Sequence, residues 1–389
     1  MNFISRFIWS WFSFSIPGAI LLFPFSYDFF GFYNQLLKSI FEPPVQWIKI
    51  NLFHWQKPFS SLESDSSSLY ILMILVFVSG FIYALLRSLV FKNESSALNK
   101  SFRIGKVISL SFLSLLMIKY GLTKVFGGQF YEPEPNILFT EFGSLDLDIL
   151  YWSTMGRSYS YNLFIGICEL LVGVGLLFRK TRLISLVTAL FVCINILAVN
   201  LSFGISVKIL SSLLLLATLY LLTPRIIEIH KAYRKKDLNS LLKTKDEKRS
   251  TLKIFLHLVI FLSIVLESLA PHFDNGFRFD WQREKSDLHG AYKFESSLTK
   301  DSFLNVDFLF IHRANYFILK KDNQFVDFHF TQNDDMILLE DYQANQKELQ
   351  FELNKNGLRI IEDDDVYLFT KIDLNEMKQK DSQFKFAVD

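Results

Sequence analysis

The apolar positions of this 389-residue chain fall into two regimes. Up to about residue 271 they gather in long runs nearly free of charge. Beyond it they alternate in short stretches between polar turns. A helix that crosses a bilayer needs about 20 mostly apolar residues. Seven runs approach that length, at approximately 3–25, 70–91, 107–126, 162–178, 183–203, 205–222 and 252–271, so the pattern predicts seven membrane helices. The fifth and sixth are separated only by a tight turn at Gly204 and read as a helical hairpin. The first lacks a small-residue cleavage site and is long and aromatic, so it reads as an uncleaved anchor rather than a signal peptide.

The final third reads as strands at 290–297, 307–313, 315–320, 324–331, 336–342, 347–353, 357–362 and 365–371. Polar clusters such as Lys321-Asp322-Asn323 and Asn333-Asp334-Asp335 separate them, as hairpin turns do. Eight short strands in sequence predict an antiparallel meander, and eight is a natural number for closing a small barrel. A sandwich is the alternative. With Gly290-Ala291-Tyr292 at its start, this tail looks faintly like a lipocalin. The fold class is therefore an α-helical membrane bundle followed by a C-terminal antiparallel β meander. The boundaries are a two-helix segment with its loop (1–106), a four-helix core (107–222), a basic connection (223–251), a seventh membrane helix (252–271) and a β-domain (272–389).

Charge sharpens this picture. Lys and Arg number 17 in the connections at 92–106, 179–182 and 223–253, against four at 26–69 and 127–161. By the positive-inside rule the N-terminus is cytoplasmic and seven spans export the tail. The net charge of +2 divides into −8 from His272 onward and +10 before it. Orientation already accounts for the basic stretch beginning Arg225-Ile-Ile-Glu-Ile-His, which reads as a short amphipathic helix on anionic lipid. Membrane lipids are thus expected partners, and nucleic acid is not.

Few residues suggest chemistry. An ionisable side chain inside a bilayer costs enough to be a functional candidate by default. Glu169 sits mid-span between Gly166 and Gly173, on a face small enough for close helix approach. Lys119, Lys124 and Lys208 are potential partners near the exported ends of their spans, and Asn195 and Asn200 add hydrogen-bonding capacity. Together they predict a polar pocket among spans three to six. The 127–161 connection, with five acidic residues, Arg157 and several aromatics, is expected to roof it as a solvated or surface-lying loop. Cys168 and Cys193 lie at different depths and read as unbridged, buried small residues. No phosphate-binding loop, dinucleotide fingerprint or metal-ligand cluster is present in the sequence.

Residues 118–211 resemble the DoxX-like family of membrane proteins. The likeness is carried by Tyr120-Gly121-Leu-Thr-Lys124-Val-Phe126, Gln129-Phe130, Met155-Gly156-Arg157-Ser158, Gly166-Ile-Cys-Glu169, Gly173 and Arg179-Lys-Thr181. Asn195, Asn200 and Val207-Lys208 with Ser211 complete it. Relatives carry an Asp and a Pro just before the Val-Lys pair, where this chain has Ser202, Gly204 and Ser206. The resemblance implies a four-helix core with two helices added before it and one after. It also implies a bacterial inner membrane, a periplasmic β-domain, and association with quinone-linked redox complexes.

Two functions follow as expectations. The first is a redox-associated subunit or accessory that binds a quinone, lipid or other lipophilic molecule among Glu169, Lys119, Lys124, Lys208, Asn195, Asn200, Tyr120 and Arg157. The second is a non-catalytic anchor presenting the β-domain to envelope partners. A transporter is disfavoured, since no inverted repeat is detectable.

Overall fold

A computed structural model describes residues 3–24, 31–55, 61–90, 95–234, 251–275, 285–297, 304, 306–354, 356–362 and 365–374. These divide into two compact units. One comprises residues 1–130 and 158–279; the other comprises 131–157 and 280–389.

The first unit is helical. Its elements are α1 (Phe3–Leu22), α2 (Gly31–Asn51), α3 (Ser67–Val90), α4 (Ser95–Val125), α7 (Tyr159–Leu177), α8 (Arg182–Ser202), α9 (Lys208–Arg234) and α10 (Thr251–Asn275). Helices α4, α7, α8 and α9 pack in a closed cycle of neighbours, with α1 against α3, α4 and α9, and α10 against α4. Their core includes Leu113, Leu116, Met117, Val172, Leu176, Leu186, Ala189, Leu213 and Ala217. The opposite faces carry exposed Ile74, Leu86, Leu171, Ile184 and Phe191. A helix that is apolar on all sides, yet not enclosed, belongs in lipid.

Among the described residues, five helices are long and apolar enough to cross a membrane: α3, the Lys100–Val125 part of α4, α7, α8 and α9. Arg6 and a run of serines dilute α1, and the apolar stretch found in α10 is Leu258–Ala270. Two further differences from the sequence pattern are local. The basic stretch from Arg225 to Arg234 is not a separate amphipathic helix but the end of α9, which continues through Pro224. The rest of the basic connection, 235–250, lies outside the described residues. The connection after α1 contains α2, a 21-residue helix that holds Pro43 and Pro44.

The second unit is a closed antiparallel barrel, β1 (Gly290–Ser297), β2 (Phe308–Ile311), β3 (Tyr316–Lys321), β4 (Gln324–Asn333), β5 (Met336–Glu340), β6 (Gln346–Asn354), β7 (Gly357–Glu362) and β8 (Asp365–Ile372), each paired with the next and β8 with β1. A meander that returns to its first strand removes both edges. The register places Tyr292 opposite Leu309, Leu309 opposite Leu319, Ile337 opposite Leu349 and Ile360 opposite Tyr367. Period-two alternation sends these residues inward, where they fill the interior with Phe317, Phe330, Leu339, Phe351, Leu358 and Phe369. Asp322 and Asp334 take positive φ, 52° and 45°, in the hairpin turns that the polar clusters marked.

The loop segment completes this unit. It forms α5 (Pro135–Leu138), a 3₁₀ turn (Phe142–Ser144) and α6 (Leu147–Arg157). Phe139 places its ring 5.2 Å from that of Phe308 and 5.4 Å from that of Phe310, which point outward from the barrel. This corrects the expectation for 127–161: residues 131–157 fold with the barrel. Strands β2 and β3 are apolar on both faces because the segment covers the outer one.

Candidate functional site

Two lysines on α4 define the polar site of the helical unit. Lys119 and Lys124 are five residues apart, which turns them roughly 140° from each other around the helix. They therefore meet different neighbours. Lys124 Nζ donates to Glu169 Oε2 of α7 at 2.7 Å, and Lys119 Nζ donates to Glu267 Oε1 of α10 at 3.3 Å. All four residues are buried, Glu169 at 5% exposure and Glu267 at 1%.

Close helix approach makes the Lys124–Glu169 pair possible. A Cβ added to Gly121 would lie 2.8 Å from the Leu170 nitrogen, and one added to Gly166 would lie 2.9 Å from the Gly121 oxygen. The two backbones thus touch where only glycine fits. About two turns further along both helices, Ser114 Oγ donates to the Gly173 carbonyl at 2.7 Å across the same seam. The Lys124 ammonium also sits 5.6 Å from the Tyr120 ring centroid and 5.9 Å from that of Phe130. An ion pair flanked by aromatic faces in a low-dielectric bundle presents a donor, an acceptor and two flat apolar walls.

The remaining predicted residues lie elsewhere. Lys208 starts α9, where the Asp65 carboxylate accepts from the Lys208 N–H at 2.8 Å and the Ile209 N–H at 2.9 Å. The Lys208 ammonium is 3.6 Å from the same carboxylate and donates to the carbonyls of Gly204 and Ile205. Asp65 caps the helix and complements its dipole. Asn195 is exposed on α8, whereas Asn200 is buried and its Nδ2 has no partner among the described residues. Arg157 belongs to the second unit and pairs with Glu132 at 3.1 Å. Cys168 and Cys193 are both free thiols.

Glu267 escaped the sequence reading, although the rule that identifies Glu169, a lone acid within an apolar run, applies to it equally.

The second unit holds its own buried charge. Glu134, 2% exposed, accepts from the Arg313 guanidinium and lies 3.0 Å from His289 Nε2 and 3.9 Å from His312 Nε2. Arg313 also donates to the Glu132 carbonyl at 3.1 Å and stacks over Tyr131. Burial alone would raise the Glu134 carboxyl; the His289 hydrogen bond, with His312 and Arg313 beside it, holds it down at about 2. Lys320 donates to the Phe139 carbonyl at 2.8 Å. The arrangement is a clasp that fixes the 131–157 segment to the barrel. Among the described residues no group of His, Cys, Asp and Glu is placed to hold a metal.

No family model matches the chain, and no solved structure matches it. The chain is 35% identical over 132 residues to the uncharacterized protein YwoB of Bacillus subtilis (strain 168), which amounts to 32% of this chain and 84% of that protein.

Proposed function

The chain belongs to the family of the Bacillus subtilis protein YwoB, and we propose that it binds the polar head of a lipophilic small molecule at the Lys124–Glu169 pair. The observation that carries this reading is the pair itself: two opposite charges, each at most 7% exposed, between membrane helices and beside Tyr120 and Phe130. Burying an ion pair in an apolar bundle stabilises little or nothing relative to apolar packing. A site kept at that cost suits a function. A quinone matches the donor, the acceptor and the aromatic walls, and the DoxX-like motif residues around the pair support a redox-associated accessory role. In this reading α1 and α10 also cross the membrane, giving seven spans in a bacterial cytoplasmic membrane. The N-terminus is inside, and the barrel, lipocalin-like in outline, is on the periplasmic side.

Lys124→Met with Glu169→Leu, introduced at the native locus, tests it. The variant is expected to reproduce the phenotype of a deletion while the protein still accumulates in the membrane. Retained function in that variant would favour the second reading, an anchor that presents the barrel to envelope partners. The barrel's separate core and the Glu134 clasp support that alternative.

A further inference from the structure

The α2 helix divides its surface into three sectors. Phe41, Val45 and Ile48 pack into the bundle core, and Leu37, on the same side of the helix, is buried as Val45 is. Gln35, Ser39 and Gln46 form an exposed polar line. Phe32, Leu36, Ile40, Trp47 and Ile50, spaced by four, four, seven and three, form a third line on a separate stripe. Each is at least half exposed, Phe32 at 68% and Trp47 at 64%. A helix docked on a protein in water needs only a packed face and a polar face. The third sector needs another solvent.

Three ties fix the level at which α2 lies. Lys38 Nζ donates to Glu63 at 2.9 Å, the Glu42 carboxylate accepts from the Leu62 N–H at 3.0 Å, and Lys49 Nζ donates to Ser67 Oγ at 3.0 Å. All three reach residues 62–67, which lead into α3, and Ser67 is the first residue of that span. The helix is thus held where α3 enters the membrane. Exposed Tyr70 and Ile74 continue the apolar surface down α3, and exposed Leu52, Phe53 and Trp55 extend it past the end of α2.

We infer that α2 is an interfacial helix, with its third sector bound to the lipid at the boundary of headgroups and acyl chains. Tryptophan and long apolar side chains beside an amphipathic polar line suit that depth. With Lys38 and Lys49 against Glu42, the attachment rests on apolar burial rather than on anionic lipid.

Nitroxide labels on the full chain test this in nanodiscs of phosphatidylcholine and phosphatidylglycerol, in a Cys168→Ala, Cys193→Ala background. Labels at Leu36→Cys, Ile40→Cys and Trp47→Cys are expected to collide with oxygen in preference to a water-soluble nickel chelate. Labels at Gln35→Cys, Ser39→Cys and Gln46→Cys are expected to show the opposite preference. Preference for the nickel chelate at both sets would overturn the inference. Shielding of the first set from both agents would overturn it too, since a protein partner or second copy would then cover the stripe.

Discussion

Lys124 and Glu169, 45 residues apart in sequence, meet at 2.7 Å across the α4–α7 seam. Removing one partner leaves the other charged in an apolar bundle, which costs about 3–5 kcal/mol. Lys124→Met and Glu169→Leu are each expected to lower stability by that order in detergent-solubilised protein. The double variant should recover most of the loss, because apolar replacements for a buried pair are close to neutral. Thermal unfolding of the four proteins checks this; equal losses in the single and double variants would contradict it.

Lys119 and Glu267 link α10 to the core in the same way. Glu267→Lys places two cations together and is expected to loosen α10, read as faster hydrogen exchange over 258–270. Adding Lys119→Glu restores opposite charges, so exchange should return toward the unaltered rate.

The glycine contacts predict a steep local sensitivity. Gly166→Val drives a side chain into the Gly121 backbone and the Lys124 and Val125 side chains, and overpacking of this kind costs about 1–3 kcal/mol. Gly143, with nothing within 4 Å of an added Cβ, should accept alanine with no measurable change in thermal unfolding.

The Glu134 clasp predicts an acid-labile contact. Its carboxyl is held at about 2 in the docked state, below the ordinary 4.5. The stabilisation is therefore complete above about 4.5 and is lost as pH falls toward about 2. His312 acts in the same direction: burial lowers its pKa below 6.5, so its neutral form favours docking and acidification opposes it. Hydrogen exchange of residues 135–157 should rise as the pH falls through this range, after correction for intrinsic rates. Glu134→Gln should raise that exchange already at neutral pH and flatten the acid step.

The two regimes of apolar pattern separate a helical bundle from a β-domain, and the hairpins at Asp322 and Asp334 fall at the polar turn clusters; closure into a barrel rather than a sandwich rests on the pairing of β8 with β1. Glu169 was also legible, because a lone acid in an apolar run has few innocent explanations. Its partner was not. Lys119, Lys124 and Lys208 all lie toward one end of their apolar runs, and only the rotation of α4 assigns one to α7 and another to α10. The helical character of α2 was hidden by Pro43-Pro44, which remove backbone donors; packing of Phe41, Val45 and Ile48 on the bundle compensates. Glu134 and Arg313 are 179 residues apart and leave no local trace. Phe308-Leu-Phe-Ile311 and Tyr316-Phe-Ile-Leu319 are apolar in both phases, which is the pattern of strands covered on both faces.

The Lys124–Glu169 site is tested most directly by native mass spectrometry of the full chain, released from its own membranes with bound lipids retained. The unaltered protein is predicted to carry a lipophilic adduct, a quinone in the leading case, that is missing from the folded Lys124→Met, Glu169→Leu variant. Identical adducts on both proteins would contradict the account.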